Sequence, residues 1–144
     1  MKELARITKP GGFIFSAIIN RLCPLRDMMF RFTEAFVAEL KDDFEELRSL
    51  ARNGIYLNHS EDPNAFTDAY FAPVQEIPSW DNDTGVKMIE AYSCQGIAGF
   101  LKDKAAAIHA DSQAWGRFLA LLAAAAPEPS MLGASEHSVF IGQK

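Results

Sequence analysis

Sulfur and imidazole are scarce in this 144-residue chain, which has two cysteines and three histidines. Cys23 and Cys94 lie far apart and outside any Cys-x-x-Cys pattern. A secreted disulfide scaffold needs more, so both are expected to be free thiols of a reducing compartment, with a Cys23–Cys94 bridge the minor alternative. His59, His109 and His137 show neither His-x-x-x-His nor His-Glu-x-x-His spacing, so no metal site is expected. Basic charge is short as well: fourteen Lys and Arg against nineteen Asp and Glu leave a formal net charge of −5. That speaks against nucleic acid as a partner, because phosphate backbones demand a concentrated basic face. It gives no support for binding an anionic membrane surface. The longest apolar run, Phe118 to Ala126, falls well short of the ~20 residues that span a bilayer. Met1 to Arg6 lacks the apolar centre of a signal peptide. The expectation is a cytoplasmic protein without membrane contact.

Several catalytic signatures are absent too. There is no Gly-x-Ser-x-Gly elbow, no Gly-x-x-x-x-Gly-Lys phosphate cradle and no Gly-x-Gly-x-x-Gly loop. What is present is ordinary for a globular chain, with 49% apolar and 23% charged residues. The length suits one domain, burying roughly 68–70% of the unfolded surface.

Residues 1–9 have helical spacing, with Leu4 and Ile7 apolar, but nothing before them supplies a cap. Pro10-Gly11-Gly12 ends that helix and requires a turn that glycine tolerates. The unalternating run Phe13 to Ile19 predicts a strand buried on both faces. Pro24 suits the first turn of a helix reaching about Arg52, with a break near Thr33. Its apolar stripe is Phe36, Leu40, Phe44, Leu47 and Ala51, and Gly54 is placed to close it in a left-handed conformation. Residues 58–64 and 78–85 read as loops, with a short helix near Pro73 between them. Val86 to Tyr92 predicts a strand whose alternation is imperfect. Helices follow after Gly96 and, capped by Asp111, through Trp115 to Ala126. His137 to Ile141 is the last strand.

Each residue set that invites a functional reading also has a plain structural one. His137 opens a strand and can face a pocket, although a hydrogen-bonded structural histidine is the commoner case. The acidic run Glu39 to Glu46 winds around a helix, which is a solvated face rather than a cation site. Asp81-Asn82-Asp83 lacks the glycine and the distal Glu of a calcium loop. Gly96-Ile97-Ala98-Gly99 is too short for a dinucleotide loop, yet its glycines let backbone approach a ligand. Phe66, Tyr70, Phe71 and Trp80 surround the central loops as core anchors or as the lining of a small-molecule pocket.

The stretch Glu3-Leu4-Ala5-Arg6-Ile7-Thr8-Lys9-Pro10-Gly11-Gly12-Phe13-Ile14-Phe15 resembles a segment of class I S-adenosylmethionine-dependent methyltransferases, of the type 11-like kind. In that family a helix ending in a Leu-Lys-Pro-Gly-Gly-like turn leads into the fifth strand of a seven-stranded sheet. Residues 86–92 and 137–141 are similar to the sixth and seventh strands, the antiparallel end of that sheet, and Glu136 to Gly142 resembles the closing strand of small-molecule members.

The resemblance therefore implies an α/β chain with an incomplete Rossmann-like methyltransferase fold. It would hold the C-terminal three strands (5, 6 and 7) of a mixed sheet and a large helical insert. Residues 1–144 would form the C-terminal part of one methyltransferase domain. The N-terminal half that binds S-adenosyl-L-methionine, roughly 100 residues, has no counterpart here. No cofactor-binding residue carries over, and the isolated chain is expected to be inactive and not to bind the cofactor. The complete enzyme would transfer a methyl group to a small-molecule acceptor. The expected acceptor-side candidates are Asn20, Arg21, Tyr70, Phe71, Gly96 and Phe100. Asn20 and Arg21 follow the carboxyl end of a strand, where α/β sheets place ligands. Self-association through strand 13–19 is expected where its edge is exposed. The alternatives are a non-enzymatic helical interaction module and an inactive truncated remnant.

Overall fold

A computed structural model describes residues 2–59, 66–77, 84–99, 101 and 103–144. Helix α1 (Lys2–Ile7) runs into the Pro10–Gly12 turn and then strand β1 (Phe13–Ile19). Gly11 takes φ +78°, the left-handed region that favours glycine. Gly12 is required for a different reason: a Cβ there would lie 2.8 Å from Thr8 Cγ2 and 2.9 Å from the Lys9 carbonyl.

Three helices follow where one broken helix was expected: α2 (Cys23–Arg31), α3 (Thr33–Asp42) and α4 (Phe44–Asn53). Pro24 sits in the first turn of α2. Phe32 and Asp43 leave the helical region, with φ −131° and −135°, and separate the three. The expected stripe is accordingly split. Leu47 is buried on α4 together with Leu50, whereas Leu40 and Phe44 are exposed on either side of the second break. Gly54 closes α4 at φ +70°, and a Cβ on it would meet the Phe71 carbonyl oxygen at 2.2 Å. This close approach lets the Phe71 amide donate to the Gly54 carbonyl at 2.7 Å. It also aligns a short ladder of β2 (Ile55–Tyr56) and β3 (Ala69–Tyr70).

A 3₁₀ turn at Val74–Glu76 leads on to β4 (Lys87–Ser93), and another occupies Gly96–Ala98. Helices α5 (Asp103–His109) and α6 (Ser112–Ala125) then pack on each other. The Asp111 carboxylate accepts from the Ala114 amide at 2.8 Å, the expected cap of α6. Helix α7 (Pro129–Ala134) leads into β5 (His137–Gln143).

The chain is mixed α/β. Its larger sheet has the order β1-β5-β4, with β5 antiparallel to both neighbours. The pairing runs from Phe13 opposite Gln143 to Ile19 opposite His137. An irregularity between Met88 and Glu90 accounts for the imperfect alternation of β4. The expectation that β1 is buried on both faces is corrected. Ile14 packs with Ala5 and Val86, and Ile18 packs on the cluster of Ala72, Ile77 and Phe140. On the other face Phe13 and Phe15 are 57% and 66% exposed. An apolar run without alternation carries no information about which face finds cover. Among the described residues only the even-numbered face of β1 has a packed layer.

Candidate functional site

The carboxyl end of β1 and the start of β5 lie together, because the two strands are antiparallel. Helices α2, α3 and α4 converge on that end and leave a cleft of about 440 Å³, a volume typical of small-molecule sites. Ile19, Cys23, Met28 and Leu50 line its inner part. One wall is aromatic. Phe66 stacks on the buried Phe71 with ring centroids 5.7 Å apart, and Tyr56 meets Phe66 edge-on at 6.1 Å. A recess of about 260 Å³ adjoins it and shares Met28, Glu39, Leu50 and Tyr56.

The polar lining is mostly acidic. Asp27, Glu39 and Glu136 face it with a single guanidinium, that of Arg31, whose Nε pairs with Asp27 Oδ1 at 3.0 Å. Burial, followed by the negative charges of Asp43 and Glu46, raises the Glu39 carboxyl above its usual range. Burial first, then Asp27 and Glu136, pushes the Cys23 thiol up to about 11, so near neutral pH it is an uncharged, unreactive wall atom. Tyr56 is raised by burial and by Glu39, Glu46 and Asp68, and keeps its phenolic proton.

His137 also borders the cleft, and Gln95 fixes its ring. The Gln95 Oε1 atom accepts from the His137 amide at 3.0 Å and from the Ser135 hydroxyl at 3.1 Å. Its Nε2 is thereby oriented to donate to His137 Nδ1 at 2.7 Å. In the neutral ring the remaining proton then resides on Nε2, as assigned from this network.

Of the five acceptor-side candidates among the described residues, Phe71 alone lines this cleft. Asn20, 2% exposed, is a tie between distant segments. Its Nδ2 donates to the Leu132 carbonyl at 2.6 Å, the Ser135 carbonyl at 2.7 Å and Ser138 Oγ at 3.1 Å. Arg21 donates to the Arg52 carbonyl at 2.9 Å, and with Asn20 it borders a separate recess of about 90 Å³ beside Val74. Tyr70 is exposed, its hydroxyl donating to Glu76. The Gly96 amide donates to Ser135 Oγ at 3.3 Å. Phe100 lies outside the described residues, as do Trp80 and Asp81-Asn82-Asp83.

The cleft residues that sequence reasoning missed, Asp27, Glu39 and Glu136, stand on segments that look like solvated helix surface or loop. Only the meeting of α2, α3 and the start of β5 gives them a common space. Among the described residues no cluster of three or more His, Cys, Asp or Glu is arranged to hold a metal ion. No described helix is long and apolar enough to cross a membrane. No family model matches the chain, and no curated protein matches it.

Proposed function

We propose that this chain is the C-terminal, acceptor-binding portion of an S-adenosylmethionine-dependent methyltransferase acting on a small molecule, and that it is inactive by itself. The observation that carries the reading is the aromatic cleft just beyond the carboxyl end of β1, where α/β sheets hold their ligands. The Lys9-Pro10-Gly11-Gly12 turn entering β1, and the antiparallel placement of β5 in one sheet with β1 and β4, support it further. The cofactor does not fit this chain alone. The Asn20-Arg21-Leu22 turn after β1 spends the Asn20 amide nitrogen and an Arg21 guanidinium nitrogen on protein carbonyls, and after β4 the Gly96 amide is spent on Ser135 Oγ. Cofactor binding therefore belongs to a further segment, whose strand would pair along the β1 edge beside the exposed Phe13 and Phe15.

The test is to compare the chain with a fusion that supplies a glycine-rich Rossmann half ahead of residue 2. The chain alone is expected to self-associate through residues 13–19 in light scattering and to give no calorimetric signal with S-adenosylmethionine. The fusion is expected to be monomeric, to bind the cofactor and to methylate members of a small-molecule panel. Micromolar cofactor affinity of the chain alone, or a cofactor-binding fusion that methylates nothing in the panel, overturns the reading. A second reading, a helical interaction module, is favoured by the exposed Met29, Phe32, Val37 and Leu40 along α2 and α3. In that case the chain is an ordered monomer and the fusion changes nothing.

A further inference from the structure

We infer that the cleft between α2, α3, α4 and the start of β5 selects a small organic cation, an amine carried on an apolar body, over anions of the same shape. If the methyltransferase reading holds, this makes the acceptor an amine; binding itself does not depend on that reading.

The charge in the cleft is unbalanced where balance matters most. Three carboxylates, Asp27, Glu39 and Glu136, line it; Arg31 engages Asp27, and the guanidinium of Arg26 also acts on Cys23 from nearby, so two cations stand against three anions. The adjoining recess adds Glu45 and Glu46. Those two are paired at the rim, Glu45 with Arg48 at 3.0 Å and Glu46 with His59 at 2.7 Å. Glu39 belongs to both spaces. Its raised carboxyl records a negative charge held in a half-buried place among other negative charges, a situation that a bound ammonium group relieves.

The aromatic wall is suited to the rest of such a ligand. Phe66, Phe71 and Tyr56 form a continuous aromatic surface, and the faces of aromatic rings attract cations as well as apolar groups. Cys23 and Met28 add uncharged sulfur beside it. An anion entering here meets more carboxylates than guanidiniums. A neutral ligand gains the aromatic wall and leaves the carboxylates as they were. Only a cation with an apolar body uses both the carboxylates and the rings.

The experiment is an amide-resolved NMR titration of the whole chain at neutral pH with phenethylamine, 2-phenylethanol and phenylacetate, which share one body and differ in charge. Phenethylamine is expected to shift the amides of Met28, Glu39, Tyr56 and Phe71 and to bind about tenfold more tightly than phenylacetate. Glu39→Gln is expected to weaken the amine about threefold or more and to leave phenylethanol unchanged. Glu136→Gln serves as a second variant should the first lose its dispersed spectrum. Phenylacetate or phenylethanol binding as tightly as the amine, or amine shifts confined to residues away from the cleft, overturns the inference. Amine binding without methyl transfer in the fusion leaves this inference standing and removes the proposed function. Methylation of acidic or neutral acceptors with no preference for amines does the reverse.

Discussion

At its amino end β1 is held by backbone and by an exposed ammonium group, whereas at its carboxyl end it is held by a buried side chain. The first end is a turn sealed against the end of β5. The Gly11 amide donates to the Lys144 carbonyl at 2.7 Å, the Lys144 amide to the Gly12 carbonyl at 3.1 Å, and Gln143 Nε2 to the Gly11 carbonyl at 3.0 Å. Lys144 Nζ then caps α1 by donating to the Ala5 and Thr8 carbonyls at 2.5 and 2.9 Å. At the second end the Asn20 amide donates to the Glu136 carbonyl at 2.9 Å, and the Asn20 side chain gathers Leu132, Ser135 and Ser138. The Ser138 hydroxyl donates in turn to the Leu132 carbonyl at 2.8 Å. The closed end needs conformational permission at Gly11 and exposed bonds to the end of β5. The open end borders a cleft, so the chain there must be fixed from within, by polar groups removed from solvent.

This difference sets the order of the expected effects. Asn20→Ala should be the most damaging, because it leaves the buried Ser135 carbonyl without its side-chain donor and takes one donor each from the Leu132 carbonyl and the Ser138 oxygen. A loss of about 2–3 kcal/mol is expected in denaturant unfolding. A loss below about 0.5 kcal/mol would mean that water replaces the amide and that the two ends are not held differently. Gly11→Val comes next. It forces a β-branched residue to φ +78° with open space around it, so the cost is backbone strain alone, somewhat above ~1 kcal/mol. Gly12→Val should cost a similar amount through contact with the Lys9 carbonyl, and unchanged midpoints for both variants would remove the turn from the account. Lys144→Ala should be the mildest, about 0.3–1 kcal/mol, and its effect should shrink as salt is added. A salt-independent loss equal to that of Asn20→Ala would erase the contrast.

The turn at the closed end was legible in the sequence, but its seal against Gln143 and Lys144 was not, and little of the open end was. Pro10, Gly11 and Gly12 announce their turn because their backbone restrictions are local. Gly54 and Asp111 are legible as helix boundaries for the same reason. The β2–β3 ladder, two residues on each side, is too short for any period to reveal, and α7 is hidden in a stretch of small residues after Pro127. At the cleft the difficulty is of another kind. Asn20 follows a strand end and looks like a ligand-facing residue, but its partners lie more than a hundred positions away. Asp27 and Glu136 are equally remote from each other in sequence and meet only because β5 returns beside β1. Local chemistry marks where a chain turns, while a cleft depends on which distant segments come back to it.

The pairing of β1 with β5 also bears on how the molecule is made. In this sheet the hydrogen-bonding partner of β1 starts at residue 137, more than a hundred positions after β1 itself has been made. Strand β4 bonds to β5 and not to β1, so it offers no interim partner. Helices α2 to α4 can form as they emerge, from local bonds, but the sheet and the cleft beside it cannot close until the chain from residue 137 onward is available. While residues 20–136 are being made, Phe13, Ile14, Phe15, Ile18 and Ile19 therefore lack the partner that β5 supplies. An apolar segment without its partner is the kind of surface to which chaperones bind and through which crowded polysomes aggregate. The vulnerable interval is set by the distance along the chain between two strands that finish as neighbours.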